Sequence, residues 1–210
     1  MSFDSYKNIG EVLKDYGITS SEDNYIIEME MMIRESFKEE LEFCLREFTF
    51  EESEYAICET IIFPILKEVY RNYRDKFTLW SHKPLVYDEN LSGIPDYIVA
   101  KRSPLGKEVF EKPFFVAVEA KRDDFIKGWG QCLAEMVAIQ KINEQPEQQR
   151  IFGIVSNGQL WQFGQLKANL FTRNFRAYTI YNLEQLFAAI NFIFSQCELE
   201  LEAIALHNQR

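Results

Sequence analysis

The chain has 210 residues, of which 47% are hydrophobic and 15% aromatic, with nine Gly and six Pro. That is ample for the packed core of one medium domain, and it excludes a disordered, collagen-like or linker-dominated chain. The formal charge is −10, from 23 basic and 33 acidic residues, which excludes a protein that coats nucleic acid by bulk positive charge.

The opening stretch, MSFDSYKNIGEVLKDYG, lacks the basic start and apolar run of a signal peptide. Residues 22–48 are expected to be mainly helical, because Met32, Phe37, Leu41, Cys44, Leu45 and Phe48 recur at helical steps, with an extended Ile26–Ile33 as the alternative for that part. A second helix is expected over 53–74, capped by Ser53 and kinked by Pro64. The period then changes. Residues 78–87 and 94–102 read as strands, and 114–121 (FFVAVEAK) as a third, central one, since its first five residues are apolar on both faces. A helix follows at 124–143, then a buried strand at 151–156. Asn157-Gly158 signals a two-residue hairpin turn. Residues 175–181 are a candidate strand, and 182–204 a closing helix. The expected fold is α/β: a central mixed sheet flanked by helices over 51–181, an acidic helical extension over 1–50, and a C-terminal helix, 182–210, packed on the same domain.

Acidity is concentrated at the front. Residues 1–80 carry 18 acids and 9 bases, 81–150 carry 11 and 10, and 151–210 carry 4 and 4. The four cysteines (44, 58, 132, 197) form no CxxC pair, which suits a reduced, cytoplasmic protein with core-filling thiols. Only His82 and His207 are present, so HExxH hydrolases and Cys/His zinc fingers are excluded, and no GxxxxGK[ST] or GxGxxG loop exists to cradle a nucleotide. No apolar run reaches membrane-spanning length. Catalysis would have to use carboxylates, Lys, Gln or a metal held by oxygen ligands.

Three charged residues lie where burial is expected. Asp96 sits within Ile-Pro-Asp-Tyr-Ile-Val, and Glu119 and Lys121 end the central strand. Residues i and i+2 of a strand share a face, so Glu119 and Lys121 project together. A buried charge costs several kcal/mol and persists only when paired or bound to an ion. A strand-end ion pair and a loop-capping Asp96 are the bland alternatives.

Pro95-Asp96, 22 intervening residues and Glu119-Ala120-Lys121 resemble the PD-(D/E)XK nuclease superfamily, whose core is helix, three-stranded meander, helix, strand. The resemblance covers residues 52–165. It implies a restriction-endonuclease-like fold and a Mg²⁺ ion, replaceable by Mn²⁺, held by Asp96, Glu119 and the Ala120 carbonyl, with Glu59 from the preceding helix as a further ligand. Glu59 falls on one stripe with Tyr55, Ile62, Leu66 and Tyr70, which places it on the face that packs inward. Lys121 would orient the attacking water, Gln131 would position water or phosphate, and Gly128 and Gly130 would let the helix approach the strand ends. Lys101, Arg102, Arg122 and Lys127 would contact DNA phosphates. Trp129 is either a base-stacking group or core, with core favoured, and His82 a surface or satisfied histidine more readily than a DNA contact. The chain departs from the QxxxY branch of the family, because Glu135 stands where that motif has Tyr. The resemblance implies a metal-dependent endonuclease acting on DNA, compatible with a homodimer. A non-catalytic module binding nucleic acid or protein, and a protein partner for the acidic N-terminal region, are the competing expectations.

Overall fold

The computed structural model describes residues 2–144 and 149–207. A short 3₁₀ turn at Phe3–Ser5 precedes helix α1 (Ile9–Tyr16), strand β1 (Thr19–Asp23) and helix α2 (Glu35–Glu47). The next helix has three parts: α3 (Glu54–Ile57), a π-helical turn at Cys58–Ile62, and α4 (Phe63–Tyr70). Ser53 caps it, accepting from the Ala56 N–H. Strand β2 (Phe77–Ser81) follows, then a small hairpin of β3 (Leu85–Val86) and β4 (Ser92–Gly93), β5 (Tyr97–Lys101), the long β6 (Glu111–Ala120) and helix α5 (Phe125–Asn143). Strands β7 (Ile151–Ser156), β8 (Leu160–Lys167), β9 (Leu170–Asn174) and β10 (Tyr178–Thr179) lead to α6 (Leu183–His207).

One mixed sheet runs β1-β9-β8-β7-β6-β5-β2, with β10 paired to β8. β2, β5 and β6 form an antiparallel meander, β7 lies parallel to β6, and β8 is antiparallel to β7. Strand alternation divides the core into two layers. Tyr97, Val99, Phe115 and Val118 pack towards the side holding α2, the α3–α4 helix and α6, whereas Ile98, Ala100, Phe114 and Ala117 pack towards α5 and α1. The expected α/β architecture with a central mixed sheet and flanking helices is therefore present. Among the described residues, no helix is long and apolar enough to cross a membrane.

Several local expectations shift. Residues 1–50 are not an appended arm: β1 pairs in parallel with β9, and Phe3, Tyr6 and Val12 are buried against the α5 side of the sheet. The 22–48 stretch is helical only from Glu35, and its earlier part runs extended along α6, where Met29 N–H donates to the Ala188 carbonyl. The irregularity due to Pro64 falls one turn earlier. Proline has no N–H to return to Thr60, and Phe63 N–H reaches back five residues to Cys58, which makes a π turn. The 78–87 strand breaks at His82, which takes a left-handed φ of 49° two residues before Pro84. The hairpin turn is centred one residue later than expected, on Gly158–Gln159, with Asn157 N–H donating to Leu160 O and Gly158 at φ 83°.

Candidate functional site

The site lies where β6 ends and β5 begins. Asp96, just before β5, turns its Oδ2 to accept the Ala120 N–H at 2.7 Å. The neighbouring Lys121 N–H, one residue past β6, bonds instead to Ser156 of β7, so the two successive N–H groups serve opposite neighbours and that of Ala120 is turned towards Asp96. Glu119 and Lys121 project together onto the α5 side, with Glu119 Oε1 2.7 Å from Lys121 Nζ. Their side chains are only 7% and 9% exposed. Gly128, in the first turns of α5, makes this possible. A Cβ there would stand 2.7 Å from Lys121 Cγ and 2.9 Å from Val155 Cγ1, so only glycine lets the helix lie against the lysine stem. Gly130 serves a different neighbour from the one expected: a Cβ would meet the Asn8 backbone at 2.8 Å, so it admits the start of α1 rather than a strand end.

A cavity of ≈ 640 Å³ opens onto this end of the sheet. Asp96, Glu119 and Lys121 line it, joined by Glu54, His82 and Asp4. Glu54 opens α3 and places Oε2 3.4 Å from Lys121 Nζ. One ammonium thus faces several carboxyl groups, and the electrostatics follow. Burial, then the negative charge of Asp96, pushes the Glu119 carboxyl up to about 7. Burial raises Asp96 as well, against the opposing pull of the Ala120 N–H and Lys121. Burial disfavours the Lys121 ammonium, but Glu119 more than offsets this and holds it above its ordinary value. Glu135, one turn beyond Gln131 on α5, is buried and hydrogen-bonded to Glu119; burial first and Glu119 second hold it well up, as the protonated partner of the pair.

The remaining expected residues divide by position. Gln131 is buried and donates through Nε2 to Asp4, while its Oε1 has no hydrogen-bond partner among the described residues. Glu59 does not join the cluster. It is exposed and lines a separate groove with Arg34 and Lys67. The stripe that aimed it inward assumed an unbroken 3.6-residue period. The π turn adds a residue and rotates the preceding turn by roughly 100°, leaving Ile57, Cys58, Ile61 and Ile62 buried and bringing Glu54 to the cavity instead. Lys101 and Arg102 lie at the far end of the sheet. Lys101 is five residues along β5 from Asp96, roughly 16 Å, and is paired with Glu111 at 3.1 Å, while Arg102 donates to the Arg74 carbonyl. Arg122 follows Lys121 directly and is paired with Asp123 at 2.8 Å; Lys127 sits in the first turn of α5. Trp129 is core, buried, with Nε1 donating to Gln162 at 2.6 Å.

Glu54 and Asp4 are the site residues that sequence reasoning missed; His82, favoured there as a surface or satisfied histidine, and Glu135, noted only as a departure from QxxxY, also join the site. His82 is placed by its own N–H, which donates to the Asp96 carbonyl, and by its Nδ1, 2.8 Å from Ser81 Oγ. Its Nε2 lies 3.4 Å from Asp96 Oδ1. The Cys58 Sγ is within 4.8 Å of a His82 ring nitrogen and of an Asp96 oxygen. These three groups do not form a nucleophilic thiol site. The histidine nitrogens face Ser81 and Asp96, and Cys58 is 1% exposed, its thiol pushed up to about 12 mainly by burial.

The donor chemistry fits a hard divalent cation. Asp96 and Glu119 offer carboxylate oxygens in one cavity that holds a surplus of acid over base, and a cation there would favour the ionised form of both carboxyls, which burial above all now raises. No protein-family model matches the chain, and no curated protein matches it in sequence.

Proposed function

We propose that the chain is a metal-dependent phosphodiester hydrolase acting on DNA, built on a restriction-endonuclease-like core. The observation that carries this reading is the convergence on one cavity of Asp96 with Glu119 and Lys121, which 22 intervening residues separate from it in sequence. The helix, antiparallel meander, helix and parallel strand supplied by α3–α4, β2-β5-β6, α5 and β7 agree with it.

Asp96 and Glu119 would hold Mg²⁺ or Mn²⁺, with the Ala120 carbonyl as a further ligand and Glu54 taking the part first expected of Glu59. The bound ion would polarise the scissile phosphate and acidify water near it. Lys121, fixed by Glu119 and Glu54, supplies a preorganised ammonium that hydrogen-bonds the attacking water and stabilises the negative charge developing on phosphate. Protonated Glu135 holds Glu119 in place from beneath. Gln131 is poised to contact phosphate or water once Asp4 yields its amide. Arg122 and Lys127, beside the cavity, are the candidate backbone-phosphate contacts, and Lys101 and Arg102 are not.

Incubation of the protein with single-stranded, duplex and branched DNA in Mg²⁺ or Mn²⁺ tests the reading. Cleavage that requires metal and is lost in Lys121→Ala supports it, and no cleavage of any of them with either ion overturns it. A second reading, a non-catalytic module binding nucleic acid or protein, is favoured by one contact: Asp4 occupies the Gln131 amide at the acidic rim. Tight, metal-independent DNA binding without turnover would select it.

A further inference from the structure

We propose that Cys58, His82 and Asp96 form a binding site for a thiophilic divalent cation of the Zn²⁺ class, beside the carboxylate site and sharing Asp96 with it. The proposal goes beyond the hydrolase reading and does not need it to hold. Three donors of graded softness, a thiol, an imidazole and a carboxylate, lie within 4.8 Å of one another. That set suits Zn²⁺ or Co²⁺ and not Mg²⁺, which takes oxygen ligands in octahedral array.

The geometry of the pair His82–Asp96 carries the argument furthest. Nε2 and Oδ1 are 3.4 Å apart, too long for a strong hydrogen bond between them. Bond lengths of about 2.0–2.2 Å to nitrogen and oxygen set the edge of a tetrahedral zinc site at roughly 3.3–3.6 Å. The two atoms therefore already stand at ligand-to-ligand separation. Each ligand is also held from behind. Ser81 Oγ occupies His82 Nδ1 and leaves Nε2 for the ion, Ala120 N–H occupies Asp96 Oδ2 and leaves Oδ1, and the Tyr97 hydroxyl meets the Cys58 sulfur. His82 is held at a left-handed φ of 49° that non-glycine residues seldom adopt. Binding would release the thiol proton to solvent. The resulting thiolate and the Asp96 carboxylate then balance the double positive charge, with neutral His82 as third ligand. His82 is 38% exposed and lines the cavity with Asp96, so a fourth position opens to water.

Cobalt substitution reads this site without any turnover. The full-length protein, stripped of metal with a chelator and titrated with Co²⁺, is expected to show a thiolate-to-cobalt charge-transfer band saturating at one equivalent. The band should vanish in Cys58→Ser and persist in Cys44→Ser, which removes the more accessible thiol. His82→Asn, which tolerates the left-handed backbone, should weaken Co²⁺ binding at least tenfold, with circular dichroism unchanged. Glu119→Gln should keep the band, which separates this site from the carboxylate one. Absence of a thiolate band at saturating Co²⁺, or a band that survives Cys58→Ser, overturns the proposal. DNA cleavage that fails while the band appears would sink the hydrolase reading alone.

Discussion

Two buried ionic clusters in this molecule are built to opposite ends. On one side of the sheet, the Glu68 carboxylate of α4 is gripped by Arg34, with Nε at 2.6 Å and Nη2 at 2.5 Å. The geometry is bidentate, Arg71 adds a second positive charge 3.9 Å away, and the Arg34 hydrogen bonds hold the Glu68 carboxyl below its ordinary value. At the end of β6, the Lys121 ammonium faces Glu119, Glu54 and Asp96, His82 stands 3.4 Å from Asp96, and both Asp96 and Glu119 are held above their ordinary values. A carboxyl pulled down by its partner is a finished structural contact. Carboxyls pushed up mainly by burial around a single ammonium would gain from a cation joining them, and groups perturbed in this way cluster at functional sites.

The contrast can be broken most forcefully at Lys121. Lys121→Ala should lower metal-dependent DNA cleavage by about 10²–10³-fold while the circular dichroism spectrum stays that of the parent; a variant that cleaves normally would make the ammonium structural. Glu68→Ala should do the reverse. Loss of a charged, buried hydrogen-bonding partner costs on the order of 1–3 kcal/mol, visible as a lower denaturant midpoint, with cleavage by the surviving folded protein unchanged.

Acidity sharpens the comparison further. Glu119 releases its proton near 4.5 when unfolded and at about 7 when folded, so the folded chain binds the proton more tightly. Its stabilising contribution is full below about pH 4.5 and is lost as pH rises through about 7. The metal-free protein should therefore lose on the order of 1–3 kcal/mol between pH 5 and pH 7.5, as read by denaturant melts, and Glu119→Gln should flatten that slope. The same melts on the parent with saturating Mn²⁺ should show the largest stabilisation at the higher pH. The smallest effects are expected at Glu59 and Lys101, whose alanine variants should change cleavage by less than about twofold. A tenfold loss at either would mean that the cavity at the end of β6 is not where DNA is cut.

The triplet was legible because it contradicts its surroundings. Asp96, Glu119 and Lys121 interrupt apolar strands, and strand alternation alone places the last two on one face. The helix–meander–helix–strand order was legible from the changes in hydrophobic period. The rest of the site depends on events that no local pattern records. Glu54 replaces Glu59 because Pro64 acts through a π turn, and a single extra residue redirects a whole turn. His82 arrives through a left-handed backbone that ends β2. Asp4 and β1 arrive through packing and pairing with α5 and β9, elements more than a hundred residues away. Glu135 was visible only as a missing tyrosine. Its role needs the helix seated on β6, which Gly128 permits.

The most direct test of the central claim is anomalous diffraction from crystals of the full-length protein soaked in Mn²⁺. The account predicts a manganese peak between the carboxylates of Asp96 and Glu119, within bonding distance of both and lost in Asp96→Asn. A well-ordered soaked crystal with no peak there, or with manganese only at the surface acids of the N-terminal third, would contradict it.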